Sequence, residues 1–179
     1  MEAFATASVL TNDGVRIHYL EAGEGDPVVL LPGFSQSALE FDKQITDLSR
    51  DYRVIAMDHR GHGRSDKPAY GYRVSRLAAD LRDLLDDLQL SEVVLLGHSL
   101  GCSVIWSYWD LFGGDRISRL ILVDQPAVVA ATCCGGSTNR RWSSAGRRAS
   151  SAPRWRRGWP AGFRVRKFAS SPRPRTAAT

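Results

Sequence analysis

Gly97-His98-Ser99-Leu100-Gly101 matches the pattern G-x-S-x-G. It stands directly behind the apolar run Val93-Val94-Leu95-Leu96 and opens a stretch with helical periodicity. A strand–turn–helix context of this kind is what a nucleophile elbow requires, and it separates the motif from a chance match. The chemistry it suggests is nucleophilic catalysis: the Ser99 hydroxyl attacks a carbonyl once a base takes its proton. Gly97 and Gly101 fit a crowded turn in which the serine holds a strained backbone angle. At the start of a helix, negative charge developing near Ser99 is favoured by the helix dipole. That charge needs two backbone N–H donors aimed at one point, and removing one such donor lowers rates by about 10²–10³. Leu100 supplies the first candidate donor. Phe34, in Pro32-Gly33-Phe34 after the apolar run Val28–Leu31, supplies the second.

The elements that must position these groups follow from periodicity. Ala5–Leu10 and Val15–Glu21 read as strands joined by an Asn12-Asp13-Gly14 hairpin turn. Val28–Leu31 suits a strand buried on both faces, and Arg53–Met57, Val93–Leu96 and Ile117–Val123 are further strands. Helices are expected over Ser37–Leu48, Ser75–Leu88 and Ser99 to about Phe112. In the second, Leu77, Leu81, Leu84, Leu85 and Leu88 share one face, with Asp80, Arg82, Asp83, Asp86 and Asp87 on the other. Trp106, Tyr108 and Trp109, on the helix after the elbow, could line a pocket, but aromatic residues at such positions are more often core. Strands alternating with helices predict an α/β fold with a mostly parallel sheet and crossover helices. Between Asp58 and Ser65, Asp58 and Arg60 are expected to lock the loop through charge-assisted hydrogen bonds, with Gly61 and Gly63 permitting its tight path.

Three spaced motifs together carry a resemblance: Leu31-Pro32-Gly33-Phe34, the run Arg53 to Pro68 containing Asp58-His59-Arg60-Gly61-His62-Gly63-Arg64-Ser65, and the Ser99 elbow. The chain resembles the α/β-hydrolase family over roughly residues 10–130, most closely its cofactor-free esterase, lactonase and haloperoxidase-like branch. The resemblance implies the α/β-hydrolase fold, hydrolysis of an ester or lactone in a small molecule, and no cofactor. The family's usual His-Gly at the oxyanion turn is Pro32-Gly33 here, which leaves the Phe34 amide in place. The epoxide hydrolase and haloalkane dehalogenase branches are also similar but place aspartate where this chain has Ser99. In the family's strand order the Asp58–Ser65 loop is separated from the elbow by one strand, so His59 and His62 are read as scaffold.

The family's order of catalytic residues is serine, then an acid, then histidine. The chain's four histidines are His18, His59, His62 and His98, all upstream of Ser99, with His98 expected to face away from the hydroxyl. Asp124, at the end of strand Ile117–Val123, stands where some relatives carry the triad acid; the other acids after Ser99 are Asp110 and Asp115. Losing a triad histidine lowers kcat by about 10⁶. The expectation is a hydrolase whose activity is impaired, incomplete after its sixth strand, with Ile117–Val123 left as an apolar sheet edge.

Charge divides the chain. Residues 1–134 hold all 19 Asp and Glu and 12 of the 24 Lys and Arg, a net of −7; residues 135–179 hold the other 12 and no acid, +12. The tail also lacks Leu and Ile, so residues 1–132 are read as the hydrolase part and residues 133–179 as a basic, low-complexity, disordered tail. Its Arg pairs and Trp142, Trp155 and Trp159 could bind phosphates and stack on bases, yet no nucleic-acid module is recognisable. The abrupt change in composition reads instead as translation in another frame or through an intron. Cys102, Cys133 and Cys134 suggest neither a disulfide framework nor a metal site. No signal peptide and no membrane span is read, and a cytoplasmic setting is expected. Two other functions stay open: a non-catalytic protein binding a small ligand, and a binder of anionic surfaces or nucleic acid through the tail. Oligomeric state is open too.

Overall fold

The computed structural model describes residues 4–125 and 166–167. Its elements run β1 (Ala5–Leu10), β2 (Arg16–Ala22), β3 (Pro27–Leu31), a 3₁₀ turn (Ala38–Phe41), α1 (Asp42–Leu48), β4 (Arg53–Met57), α2 (Val74–Asp87), β5 (Val93–His98), α3 (Leu100–Phe112), β6 (Ile117–Val123) and β7 (Arg166–Lys167). The helix expected over Ser37–Leu48 is therefore split, its first turn being 3₁₀. The sheet order is β1-β2-β4-β3-β5-β6-β7. The β1–β2 hairpin and the β2–β4 pair are antiparallel, and every pairing from β4 to β7 is parallel.

Two apolar layers hold the sheet. On one face α2 and α3 bury Leu77, Leu81, Leu84, Leu85, Val104, Ile105 and Tyr108 against Val29, Leu31, Ile55 and Leu95. Trp106 and Trp109 pack against this same layer, so the aromatic residues of α3 belong to the core. On the other face the 3₁₀ turn and α1 bury Phe41 and Ile45 against Val28, Leu30, Val54 and Ala56. Alternate residues of β3 and β4 thus enter opposite cores, and their uninterrupted apolar sequence is that of strands buried on both sides.

The structure corrects the expected character of Asp80. It lies within the polar stripe of α2 but is fully buried, because Arg60, also fully buried, reaches it with two hydrogen bonds of 2.6 Å. Arg60 also reaches Asp13 in the β1–β2 turn through two bonds of 3.1 Å. One guanidinium thus ties the loop after β4 to α2 and to the hairpin. Asp58 closes the other end of that loop, accepting from Ala38 N–H at 2.6 Å and Arg64 N–H at 2.8 Å, with His18 Nδ1 at 2.8 Å.

The β6 edge is occupied at two positions, where Ile121 and Leu122 pair in parallel with Arg166 and Lys167. Otherwise the expected disorder of residues 133–179, like Cys133 and Cys134, lies outside the described residues. No described helix is long and apolar enough to cross a membrane.

Candidate active site

Register brings the site together. Leu31, the last residue of β3, pairs with Gly97 of β5, so the turn after β3 and the elbow after β5 emerge side by side. Ser99 caps α3 with φ 47° and ψ −106°, a strained conformation for a non-glycine residue. Its N–H donates to Val123 O at 3.0 Å, fastening the elbow to β6. The crowding inferred from the motif is present. A methyl group on Gly101 would stand 2.2 Å from Leu31 O, and one on Gly97 2.6 Å from the Gly101 carbonyl carbon. Beneath the elbow the buried Cys102 thiol donates to Gly97 O at 3.0 Å, and burial raises its pKa.

The turn Pro32-Gly33-Phe34 is pinned at three of its polar backbone atoms. Pro32 O accepts from His59 Nε2 at 3.1 Å. Gly33 N–H donates to Glu40 Oε2 at 3.0 Å, and Gly33 O accepts from Gln36 N–H at 3.2 Å. Among the described residues the Phe34 N–H donates to nothing, and neither does the Leu100 N–H at the start of α3. Proline has no N–H to offer, and that of Gly33 is taken by Glu40. The exposed Phe34 side chain borders an open groove of about 500 Å³, shared with Ser37, His62 and Tyr72.

None of the histidines hydrogen-bonds Ser99 among the described residues, and His18 Nε2, His59 Nδ1 and His98 Nδ1 are buried without a hydrogen-bond partner there. His18 is held by Asp58 and His59 by Pro32 O, while His62 Nδ1 lies 3.1 Å from Arg60 O. His98 Nδ1 lies in close contact with Glu40 Oε1, an ion pair only when the imidazole is protonated, and its Nε2 is 4.0 Å from Asp124 Oδ2. Burial lowers the His59 pKa to about 4, against the opposing pull of its bond to Pro32, so this imidazole is neutral at pH 7. β3 lies between β4, whose following loop carries His59 and His62, and β5, which leads into the elbow. Asp124 is exposed, has φ 50°, and faces His98. No group of three or more metal-ligating side chains occurs among the described residues.

A model for the α/β-hydrolase fold matches residues 26–171. This chain belongs to the α/β-hydrolase family. Among curated relatives, the α/β-hydrolase chain is 40% identical over 119 residues to a non-heme chloroperoxidase of Streptomyces lividans, covering 65% of this chain and 43% of the relative. It is 38% identical over 120 residues to a soluble epoxide hydrolase of Corynebacterium sp. (strain C12), covering 66% and 42%. The solved esterase EaEST from Exiguobacterium antarcticum superposes with a TM-score of 0.66 at 35% identity, covering 68% of this chain and 46% of that one. The chain thus spans less than half the length of these relatives.

Sequence reasoning brought together Ser99, Leu100, Phe34, Gly97 and Gly101, and the structure places them at one end of the sheet. It missed Glu40 and the backbone anchor at His59. Ser37-Ala38-Leu39-Glu40 has the form of a helix capping box, S-x-x-E, which would direct Glu40 to a local backbone partner. Instead the Ser37 side chain makes no cap hydrogen bond, and Glu40 reaches back to Gly33 and across to His98.

Proposed function

We propose that this α/β-hydrolase chain carries the nucleophile and oxyanion half of a serine esterase or lactonase centre and that, as this 179-residue polypeptide, it is impaired in turnover. The observation that carries the reading is Ser99 at φ 47° on the elbow between β5 and α3, with the Phe34 and Leu100 amides undonated beside it. In that arrangement Ser99 Oγ attacks the carbonyl carbon of an ester or lactone. The carbonyl oxygen becomes an oxyanion received by the two amides. The serine proton passes to a base and then to the departing alkoxide, and water releases the acyl group by the same steps. The groove beside Phe34 gives room for one substituent of the ester. A serine at position 99 favours this chemistry over that of the epoxide hydrolases among its relatives.

Within these 179 residues no base is assigned to Ser99. No histidine follows Ser99 in the 179 residues, and among the described residues none of the four that precede it makes a hydrogen bond to Ser99. Asp124 is proposed as the remnant of the acid position, facing His98 and no base that serves Ser99.

With p-nitrophenyl butyrate and a γ-lactone, the expected turnover lies about 10⁶ below that of a complete serine hydrolase. It should be indistinguishable from that of Ser99→Ala. Turnover in the ordinary enzyme range of about 1–10³ s⁻¹, abolished by Ser99→Ala, would overturn the impairment.

A further inference from the structure

Glu40 presents an electrostatic difficulty. Its carboxylate accepts the N–H of Gly33, one residue before the amide assigned to the oxyanion. Negative charge there opposes a second negative charge on a substrate oxygen bound by Phe34, and the repulsion is strong where water is scarce. His98 stands on the far side of the same carboxylate with Nδ1 against Oε1. A methyl group on Gly33 would lie 3.0 Å from His98 Nδ1 and 3.6 Å from Ser99 Cβ, so turn, imidazole and elbow meet at one place.

We propose that Glu40 and His98 form a clamp, in which Glu40 is a positioning residue that fixes the Gly33 amide so that Phe34 N–H faces the oxyanion, and His98, when protonated, offsets the charge Glu40 brings. The proposal rests on the reading of Ser99 as nucleophile and Phe34 as oxyanion donor. In this role His98 is neither the base for Ser99 nor a bystander inside the elbow.

Two readouts on the full chain test it. The first is amide hydrogen exchange at Gly33, which is buried. Glu40→Ala should speed exchange there by about tenfold or more, the scale of a lost hydrogen bond to a charged acceptor. The buried β4 and β5 amides of Ile55 and Leu95 should keep their protection, and Glu40→Gln, which retains an acceptor, should keep Gly33 protected. The second is the rate of Ser99 labelling by a fluorophosphonate with imidazole supplied as a diffusible base. His98→Leu removes the group that faces the Glu40 carboxylate and should slow labelling about tenfold, and adding Glu40→Gln to it should restore the rate to within about threefold. Lost packing alone would not be rescued by neutralising Glu40. Unchanged Gly33 protection in Glu40→Ala, or a double variant as slow as His98→Leu, would overturn the clamp. If no variant labels at all, the assignment of Ser99 fails, and Gly33 exchange still decides whether Glu40 fixes the turn.

Discussion

His59 is the clearest case of a single residue whose burial has a measurable consequence. Its ring is fully buried with Nε2 on Pro32 O, and its pKa falls from 6.5 to about 4. The unfolded chain binds a proton on this side chain below about 6.5, and the folded chain only below about 4. Its contribution to stability is therefore complete above about pH 6.5 and lost as pH falls towards 4. At about 1.4 kcal/mol per pH unit the loss approaches about 3 kcal/mol. Asp13, which Arg60 holds at about 2, acts in a separate window below its ordinary value of 3.8. Urea unfolding of wild type and His59→Gln at pH 7 and pH 4 should show the wild type losing about 3 kcal/mol more. Equal losses would mean that His59 takes up its proton without unfolding. At this scale the local signal was legible in geometry: the strained Ser99 and the crowding at Gly97 and Gly101 follow from a short motif, while the roles of the Leu100 and Phe34 amides belong to the proposal. Glu40 was not legible, because its partners Gly33 and His98 are brought to it by the pairing of β3 with β5.

The sheet and α2 are held by elements whose charges look superficial in one dimension. The leucines of α2 announced its buried face, but periodicity places Asp80 on the wet side, since nothing local shows that Arg60 from the loop after β4 will arrive there. Burial alone would lower the Arg60 pKa, and the carboxylates of Asp80 and Asp13 instead hold it above its ordinary value. Removing one member of a buried ion pair is typically worse than lacking the pair, because it strands the other charge. Arg60→Met should destabilise the domain by about 3–5 kcal/mol in urea titration, while Arg82→Met, on the half-exposed pair with Asp86, should change it by less than about 1 kcal/mol. Similar effects from the two would contradict the network's importance. Gly101→Ala drives a methyl group into the Leu31 carbonyl oxygen and should destabilise by about 1–3 kcal/mol in the same titration, with β3 and α3 forced apart.

For the whole molecule, a mostly parallel sheet with β3 at its centre explains how the turn after β3 and the elbow come together. The order β4-β3-β5 puts the Pro32–Phe34 turn directly beside the elbow, with the His59–His62 loop packed against that same turn. Strand–helix alternation made this architecture readable, and the Ser99 elbow named the family. The chain beyond β6 was not readable in the same way, because residues 135–179 carry no Leu or Ile from which to place an element. The two-residue β7 shows that composition alone understated the pairing at that edge.

The most direct test of a poised serine without its base is intact-mass analysis after exposure to a fluorophosphonate, with and without added imidazole, in wild type and Ser99→Ala. No adduct in buffer alone, and one adduct in the wild type only when imidazole is present, is the expected result. Full labelling of the wild type in buffer alone would show that the chain holds its own base. No Ser99 adduct even with imidazole would show that the serine is not poised for attack.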